Sequence, residues 1–380
     1  MKIIHVLPAF TKGGGERVVI DLANAQIANG HDVLVIVGLK VDPLLLQNRL
    51  SAKADVTFIS GKATSVKSVY ASIPFWVWRN RKVLFARDVL HCHLTFGSIF
   101  GAFALLARTV SRAPTPVIVE TYHAVGMAIP KYRRWIDSVL LKKRDALALM
   151  AEDTYWNVFL ARNPKLLHRI IENGVDTSLR STNDPKAARQ VLGVPENCRL
   201  VVGTVSQLRA DREPWSFLPI FKQIADAIGP DVQFVIAGEG PERGRVEAEI
   251  VRCGMSGRVH LPGQVDSAAD AALAMDLFLT LAVGSRVGIA ALETAATGKP
   301  VIARQLDHQY LRQDNDFAWS AVDPVELGNE AIRLLRSPDA LTDLGNSQKW
   351  IVETQFSATA MANAYEKLYA AALSARSEAK

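Results

Sequence analysis

Residues 2–7, Lys-Ile-Ile-His-Val-Leu, form an unalternated apolar run closed by Pro8. Such a run predicts a strand covered on both faces. Gly13, Gly14 and Gly15 follow, and Val18, Val19, Leu22, Ala23 and Ala25 then recur at helical spacing over 17–29. Gly30 ends that helix and 32–37 reads as the next strand, so the chain begins with a strand–helix–strand unit. Further apolar runs predict strands at 55–59, 89–93 and 117–122, with helices at 98–111 and 133–143. The alternation resumes beyond residue 199. Strands are expected at 200–205, 231–237, 259–261, 277–281 and 300–304, and helices at 216–228, 242–253, 269–275 and 288–297. Met361, Tyr365, Leu368, Tyr369 and Leu373 make one last stripe, on a helix over 358–375.

Two series of alternating elements predict an α/β fold. Each half is a Rossmann-like, doubly wound, mostly parallel sheet, and the two face one another across a cleft. A length of 380 residues suits two domains of roughly 150 residues each. The expected division is 1–180 and 181–355, because 176–195 is polar and broken at Asp184-Pro185. Three cysteines, Cys92, Cys198 and Cys253, leave one unpaired in any scheme. That excludes a disulfide scaffold and points to a reducing cytoplasm. No apolar run reaches the roughly 18 residues of a membrane span. The longest, 98–107, stops at Arg108. Lys12 and Glu16 come too soon for a secretion signal.

The net charge of +6 conceals an asymmetry. Residues 1–180 hold 24 Lys and Arg against 13 Asp and Glu, and the remainder 20 against 25. A basic half joined to an acidic one implies that the first faces anionic material.

Four strand-to-helix turns carry candidate chemistry. At 13–16, bare glycines before a helix let backbone N–H groups approach an anion. A dinucleotide fingerprint would need a third glycine where Val18 stands, so hydride transfer is disfavoured. An ordinary tight turn is the alternative. At 204–214, Arg209 and Arg212 follow a strand, as phosphate-binding arginines do, or they belong to a solvated loop. At 237–242, Gly238 and Gly240 permit close ligand approach, or simply make the turn before Pro241. At 284–301, a helix begins near Val287, and its first N–H groups suit a diphosphate. Glu293 lies among Ala290, Ala291, Ala295 and Ala296, where a carboxylate is costly unless paired. Ribose hydroxyls would pair it, and so would Lys299.

Together these turns resemble the retaining family-4 glycosyltransferases, whose fold is the two-domain GT-B architecture. The resemblance runs nearly end to end. It is carried by Gly-Gly-x-Glu at 13–16, Asn-Gly-Val-Asp at 173–176, Gly-x-Gly-Pro at 238–241 and Leu-Glu-x-x-Ala-x-Gly-x-Pro-Val at 292–301. It implies an acceptor domain at 1–180, with a C-terminal helix at 356–376 packing back on it. A nucleotide-sugar domain at 181–355 would hold a UDP- or GDP-linked donor. By position, Glu293 would bind ribose. Arg212, the amides of Arg286, Val287 and Gly288, and Gly14 and Gly15 opposite would meet the diphosphate. The base would rest near Gly240 and Val265, and His123 near the transferred sugar as the catalytic residue. Transfer would retain the anomeric configuration without metal or cofactor. Two positions depart from the pattern: Ser285 replaces a usual glutamate at the donor sugar, and Gln207 a usual diphosphate-binding arginine, with Arg209 two residues on.

Aromatic and basic residues interleave at 75–82, with Trp76, Trp78, Arg79, Arg81 and Lys82, and at 131–135, with Arg133, Arg134 and Trp135. Such mixtures suit an anionic membrane surface, or core tryptophans beside solvated charges. The family context favours a lipid-linked or oligosaccharide acceptor of a bacterial surface polysaccharide such as lipopolysaccharide, a cytoplasmic enzyme peripheral to the membrane, and no nucleic acid. His91 and His93 share a strand face and invite a zinc reading, but no further cysteine or carboxylate cluster lies nearby, so a structural or acceptor-side role is expected rather than metal. A nucleotide-sugar epimerase and a silent nucleotide-sugar-binding module are the alternatives.

Overall fold

A computed structural model describes residues 1–10, 13–39, 49–60, 66–111, 116–123, 139–150, 154–178, 184–282, 288–305, 320–321 and 323–378. The chain divides into two compact units, Met1–Gly174 with Ala358–Lys380, and Val175–Ser357.

The first unit opens with β1 (Lys2–Ala9), α1 (Gly14–Ala28) and β2 (Asp32–Leu39). Then come β3 (Asp55–Ser60), α2 (Val66–Arg79), α3 (Arg81–Phe85), β4 (Val89–His93), α4 (Leu94–Ser111) and β5 (Val117–Tyr122). A 3-10 turn at Leu141–Lys143 leads to β6 (Ala146–Leu149), α5 (Thr154–Ala161) and β7 (Leu167–Ile170). The strands form one parallel sheet, ordered β3-β2-β1-β4-β5-β6-β7. The order reverses between β1 and β4, the kind of junction where open α/β sheets bind ligands.

In the second unit, α6 (Pro185–Val191), β8 (Leu200–Val205), α7 (Phe217–Ile228), β9 (Val232–Ala237), α8 (Arg243–Arg252) and β10 (Val259–His260) come first. They are followed by α9 (Ala268–Leu273), β11 (Leu277–Ala282), α10 (Ile289–Ala296), β12 (Val301–Gln305), β13 (Ser320–Ala321), α11 (Pro324–Leu335) and α12 (Pro338–Gln355). This sheet is also parallel, ordered β10-β9-β8-β11-β12-β13. Phe217, Phe221, Phe234 and Leu279 lie fully buried in its core. Gln348 of α12 bonds both the N–H and the C=O of Val301 (2.8 and 2.7 Å), fastening α12 to the start of β12.

The last helix, α13 (Ala358–Glu378), belongs to the first unit. Its Tyr365, Leu368 and Tyr369 are buried there. Asn29 Nδ2 donates to Glu366 Oε1 (2.8 Å), and Arg376 donates to the Pro116 carbonyl (2.7 Å). The link between units is short. The Val175 N–H donates to Phe356 O, so residue 175 already joins the second unit rather than the first.

Several elements differ from the sequence expectation. Residues 75–79, read as part of an aromatic–basic patch, continue α2 through Pro74. Of the helix expected over 133–143, residues 133–138 lie outside the described ones and 141–143 form a 3-10 turn. The apolar run at 98–107 extends into an 18-residue helix of mean hydropathy 1.4, long and apolar enough to cross a membrane by length and composition. Here Phe96, Phe100, Ala104 and Ala107 of α4 are instead buried in the core.

Candidate functional site

Parallel register gathers a set of polar side chains at the strand-order reversal of the first unit. His5 pairs with His91, and His93 with Thr121. His91 and His93 are two apart, so β4 presents both on one face. That face therefore carries His5, His91, His93 and Thr121 from three adjacent strands, all buried. Leu94, directly after His93, takes a left-handed φ of 59°, which costs an L-residue roughly 1–2 kcal/mol. It turns the chain from β4 into α4.

The side chains form one hydrogen-bonded network. His5 Nε2 meets Gln26 Oε1 of α1 at 2.7 Å, and His5 Nδ1 meets His93 Nε2 at 2.9 Å. His93 Nδ1 meets His123 Nε2, just past β5, at 3.1 Å. Gln26 Nε2 donates to Tyr369 of α13 (3.3 Å), whose hydroxyl lies 2.7 Å from His91 Nδ1. His91 Nε2 meets Thr121 Oγ1 (2.6 Å), which meets the Tyr365 hydroxyl (2.9 Å). Burial lowers His5 to about 4, although its bond to Gln26 opposes the shift. Burial, and then neighbouring histidines, hold His91 and His93 well below the ordinary range. All three are neutral at pH 7. Burial also raises the Tyr369 phenol far above its usual value.

His5 adds a third imidazole to His91 and His93, and one donor atom from each lies within 4.8 Å of the others. Each of their six ring nitrogens, however, hydrogen-bonds to a protein side chain. A metal ion would have to displace those bonds. The sequence signal for His5 was weak, one imidazole inside an apolar run. Gln26, Tyr365 and Tyr369 read only as positions on amphipathic helices.

The opposite sheet face holds a buried ion pair. Arg144 Nε donates to Glu120 Oε2 (2.9 Å), and Arg144 Nη2 to the Ser98 carbonyl (2.5 Å). Ser98 Oγ donates to Glu120 Oε1. This cluster ties β5 to α4 and to the turn before β6. Beside it, burial pushes the Cys92 thiol up to about 12, so it is no nucleophile.

In the second unit the expected donor residues collect beyond the carboxyl ends of β8 to β11. Gln207, Arg209 and Arg212 follow β8 and are exposed. Arg209 forks onto Asp211 (2.9 and 3.1 Å) and donates to Gln207 Oε1 (3.3 Å). The next turn knits to this loop. Leu208 N–H donates to Glu239 O, Glu242 N–H to Leu208 O, and Gly238 N–H to Gly263 O. A Cβ on Gly238 would lie 1.9 Å from Ser206 O, and one on Gly240 2.3 Å from Leu208 O. Only glycine permits that approach. Val265 is half-buried against the core of this unit. Gly288 is exposed as the N-cap of α10 without a side-chain cap, and Glu293 on that helix is buried, 6% exposed. Ser285, Arg286 and Val287 lie outside the described residues.

Gly14 and Gly15 start α1 in the first unit, behind Gly13 as N-cap. Trp76 faces inward, 5.8 Å from the Phe100 ring. Trp78 is 47% exposed, with the Arg81 guanidinium 4.5 Å above its ring. Arg79 and Lys82 are exposed beside it. Arg133, Arg134 and Trp135 lie outside the described residues.

Residues 12–179 match the family described as Glycosyltransferase Family 4, and residues 199–337 match Glycosyl transferases group 1. N-acetyl-alpha-D-glucosaminyl L-malate synthase of Bacillus anthracis is 19% identical over 288 residues, 74% of each chain. Among solved structures, Anabaena HepE in complex with UDP-glucose matches at a TM-score of 0.74 and 18% identity, over 98% of this chain and 100% of that one. Sucrose-phosphate synthase of Thermosynechococcus elongatus matches at 0.73 and 19%, over 99% and 100%. These likenesses place both parallel-sheet units in the GT-B fold.

Proposed function

The chain belongs to the family-4 glycosyltransferases, and from that premise we propose a retaining, metal-independent transfer of a hexose from a UDP- or GDP-linked donor. The acceptor is a lipid-linked or oligosaccharide glycan of a bacterial surface polysaccharide, and the enzyme works in the cytoplasm at the membrane face. One observation carries the donor reading. The loops after β8, β9 and β10 and the start of α10 lie at one edge of one sheet, and backbone hydrogen bonds stitch the first three together.

In this reading Glu293 accepts hydrogen bonds from ribose hydroxyls, and the base lies against Gly240 and Val265. Arg209 and Arg212 neutralise the diphosphate, Gln207 and the start of α10 at Gly288 donate hydrogen bonds to it, and Arg286, Val287, Gly14 and Gly15 are further candidates for the same group. Guanidinium groups and helix N–H donors stabilise a departing diphosphate as a metal would elsewhere. The bond from anomeric carbon to phosphate oxygen breaks while the acceptor oxygen bonds to the same face. The acceptor proton passes to the leaving phosphate oxygen. Ser285 and Arg286 are the candidates for recognising the sugar, and His123 is the candidate catalytic residue. The UDP-glucose bound by HepE supports a nucleotide-sugar donor.

Incubation with UDP- and GDP-linked hexoses and a lipid-linked glycan tests this. Acceptor-dependent nucleotide release, with the donor's anomeric configuration kept in the product by NMR, is expected. An inverted product refutes retention. Epimerised donor formed without acceptor refutes transfer.

A further inference from the structure

Arg304 is the penultimate residue of β12, at the carboxyl edge of the second sheet. It pairs with Leu281 of β11, the strand between β12 and β8. Strand spacing sets β12 and β8 roughly 10 Å apart. Side chains close that gap. Glu213, in the loop after β8, places Oε2 3.6 Å from Arg304 Nη1.

Neither residue sits where stability alone would put it. Glu213 has φ 38° and ψ 52°, in the left-handed region, and joins two 3-10 turns, Ala210–Arg212 and Pro214–Ser216. Among the described residues of the second unit it is the one non-glycine with a positive φ. Such a conformation strains an L-residue, and glycine would take it freely. Arg304 is 17% exposed, and its Nε and Nη1 are buried without a hydrogen-bond acceptor among the described residues. At 3.6 Å the Glu213 carboxylate supplies charge but no hydrogen bond. Unmet buried N–H groups cost stability and call for another reason to be there.

The loop itself supplies that reason. Leu208 and Pro214 are buried, and the Leu208 backbone bonds to the turn after β9. Residues 209–212 between them are exposed. Arg209 bonds Asp211 and Gln207, and Arg212 Nε lies 3.9 Å from Asp211, so these side chains pair within the loop. The backbone bonds of the segment stay inside it too, from Arg209 to Gln207, Arg212 to Arg209 and Glu213 to Ala210. Among the described residues, the Glu213–Arg304 pair is therefore the one hydrogen bond or ion pair that ties 209–213 to the sheet.

We propose that Glu213 and Arg304 are positioning residues: their ion pair seats the loop after β8 on the sheet edge and so pre-orders Arg209 and Arg212 for the donor diphosphate. This role rests on the reading that those two arginines neutralise the diphosphate, and it involves residues of the second unit alone. A loop ordered beforehand spares the ordering cost at binding, so losing the pair weakens affinity although neither side chain touches the ligand.

Calorimetric titration of UDP and GDP into the full chain tests this, with Glu213→Gln, Arg304→Met, the double variant and Arg212→Ala, each first shown folded by thermal melting. Glu213 is half-exposed and bonds no other side chain among the described residues, so Glu213→Gln leaves the core intact. The nucleotide that the wild type binds should bind each single variant about tenfold more weakly. The double variant should bind no more weakly than either single one, because both remove the same contact. A merely structural role would lower the melting temperature and leave the affinity of the folded protein unchanged, and that result overturns the proposal. Losses that multiply in the double variant overturn it as well. Arg212→Ala separates the two readings. If it weakens binding while Glu213→Gln and Arg304→Met do not, the positioning role alone fails. If it binds as tightly as the wild type, the arginine site fails and the positioning role with it.

Discussion

Three neutral histidines in the core of the first unit make its stability depend on acid. Each has a folded pKa below its unfolded value near 6.5, because burial disfavours the charged ring. The unfolded chain therefore binds more protons as pH falls. The contribution is fully present above about pH 6.5 and is lost as pH falls toward the folded values, about 4 for His5. For His5 alone the loss is about 3 kcal/mol at completion. Thermal melts at pH 7 and pH 5 should show the first unit's transition move down sharply; a transition that stays put contradicts the buried network. The Glu120–Arg144 pair makes a second prediction. Both side chains are essentially inaccessible, at 1% and 0% exposure. Glu120→Ala leaves a buried guanidinium unpaired and should cost about 3–5 kcal/mol in denaturant melts. A cost under about 1 kcal/mol would mean that solvent reaches Arg144. Gly238→Ala must place a methyl against Ser206 O and should cost about 2–4 kcal/mol from overpacking and a positive φ. Unchanged melting would show that the loop after β8 shifts freely. None of these burials could be read from composition. His5 looked like any residue of an apolar run, and Glu120 lies inside a segment, 117–122, expected only as a strand.

Helices and strands were legible where their apolar periods were long. β1, α1, β2 and the alternation from β8 to β12 lie within a few residues of expectation, because parallel strands covered on both faces read as continuous apolar runs. Four-residue strands such as β6 and β7 are too short to establish a period. The stripe on α13 was visible, but not that two of its residues, Tyr365 and Tyr369, end in a polar network. Removing residues 358–380 should therefore unfold the first unit, stripping the cover from His91 and Thr121, while the second unit keeps its own transition. Two intact transitions by calorimetry would contradict this. On the far side of the first unit, α2 and α3 expose Phe75, Trp78 and Val83 among Arg79, Arg81 and Lys82, and α4, which packs on α2, exposes Leu106 and Val110. Apolar side chains rimmed by cations fit an anionic bilayer surface. Sedimentation with anionic vesicles should be lost in high salt and weakened in a Trp78→Ala, Arg81→Ala double variant. Failure to sediment at low salt removes the membrane from the account.

Across the whole chain, two units repeat one plan. Each is a parallel sheet whose order reverses beside its first strand, and each gathers its polar residues beyond or beside that reversal. The plan was legible because glycine-bearing turns recur after the strands in a fixed order, at 13–16, 238–241 and 284–288. The first unit's chemistry was less legible, because it depends on register between strands far apart in sequence. The account turns on Glu293 of the second unit holding the nucleotide of an activated sugar. Calorimetric titration of UDP- and GDP-linked hexoses into the wild type and Glu293→Gln addresses that directly. The wild type should bind one class saturably, and the variant should bind it about tenfold more weakly or worse, a loss of about 1.4 kcal/mol for a hydrogen bond to a charged acceptor. Equal affinity in a folded variant, or no binding of either class to the wild type, would contradict it.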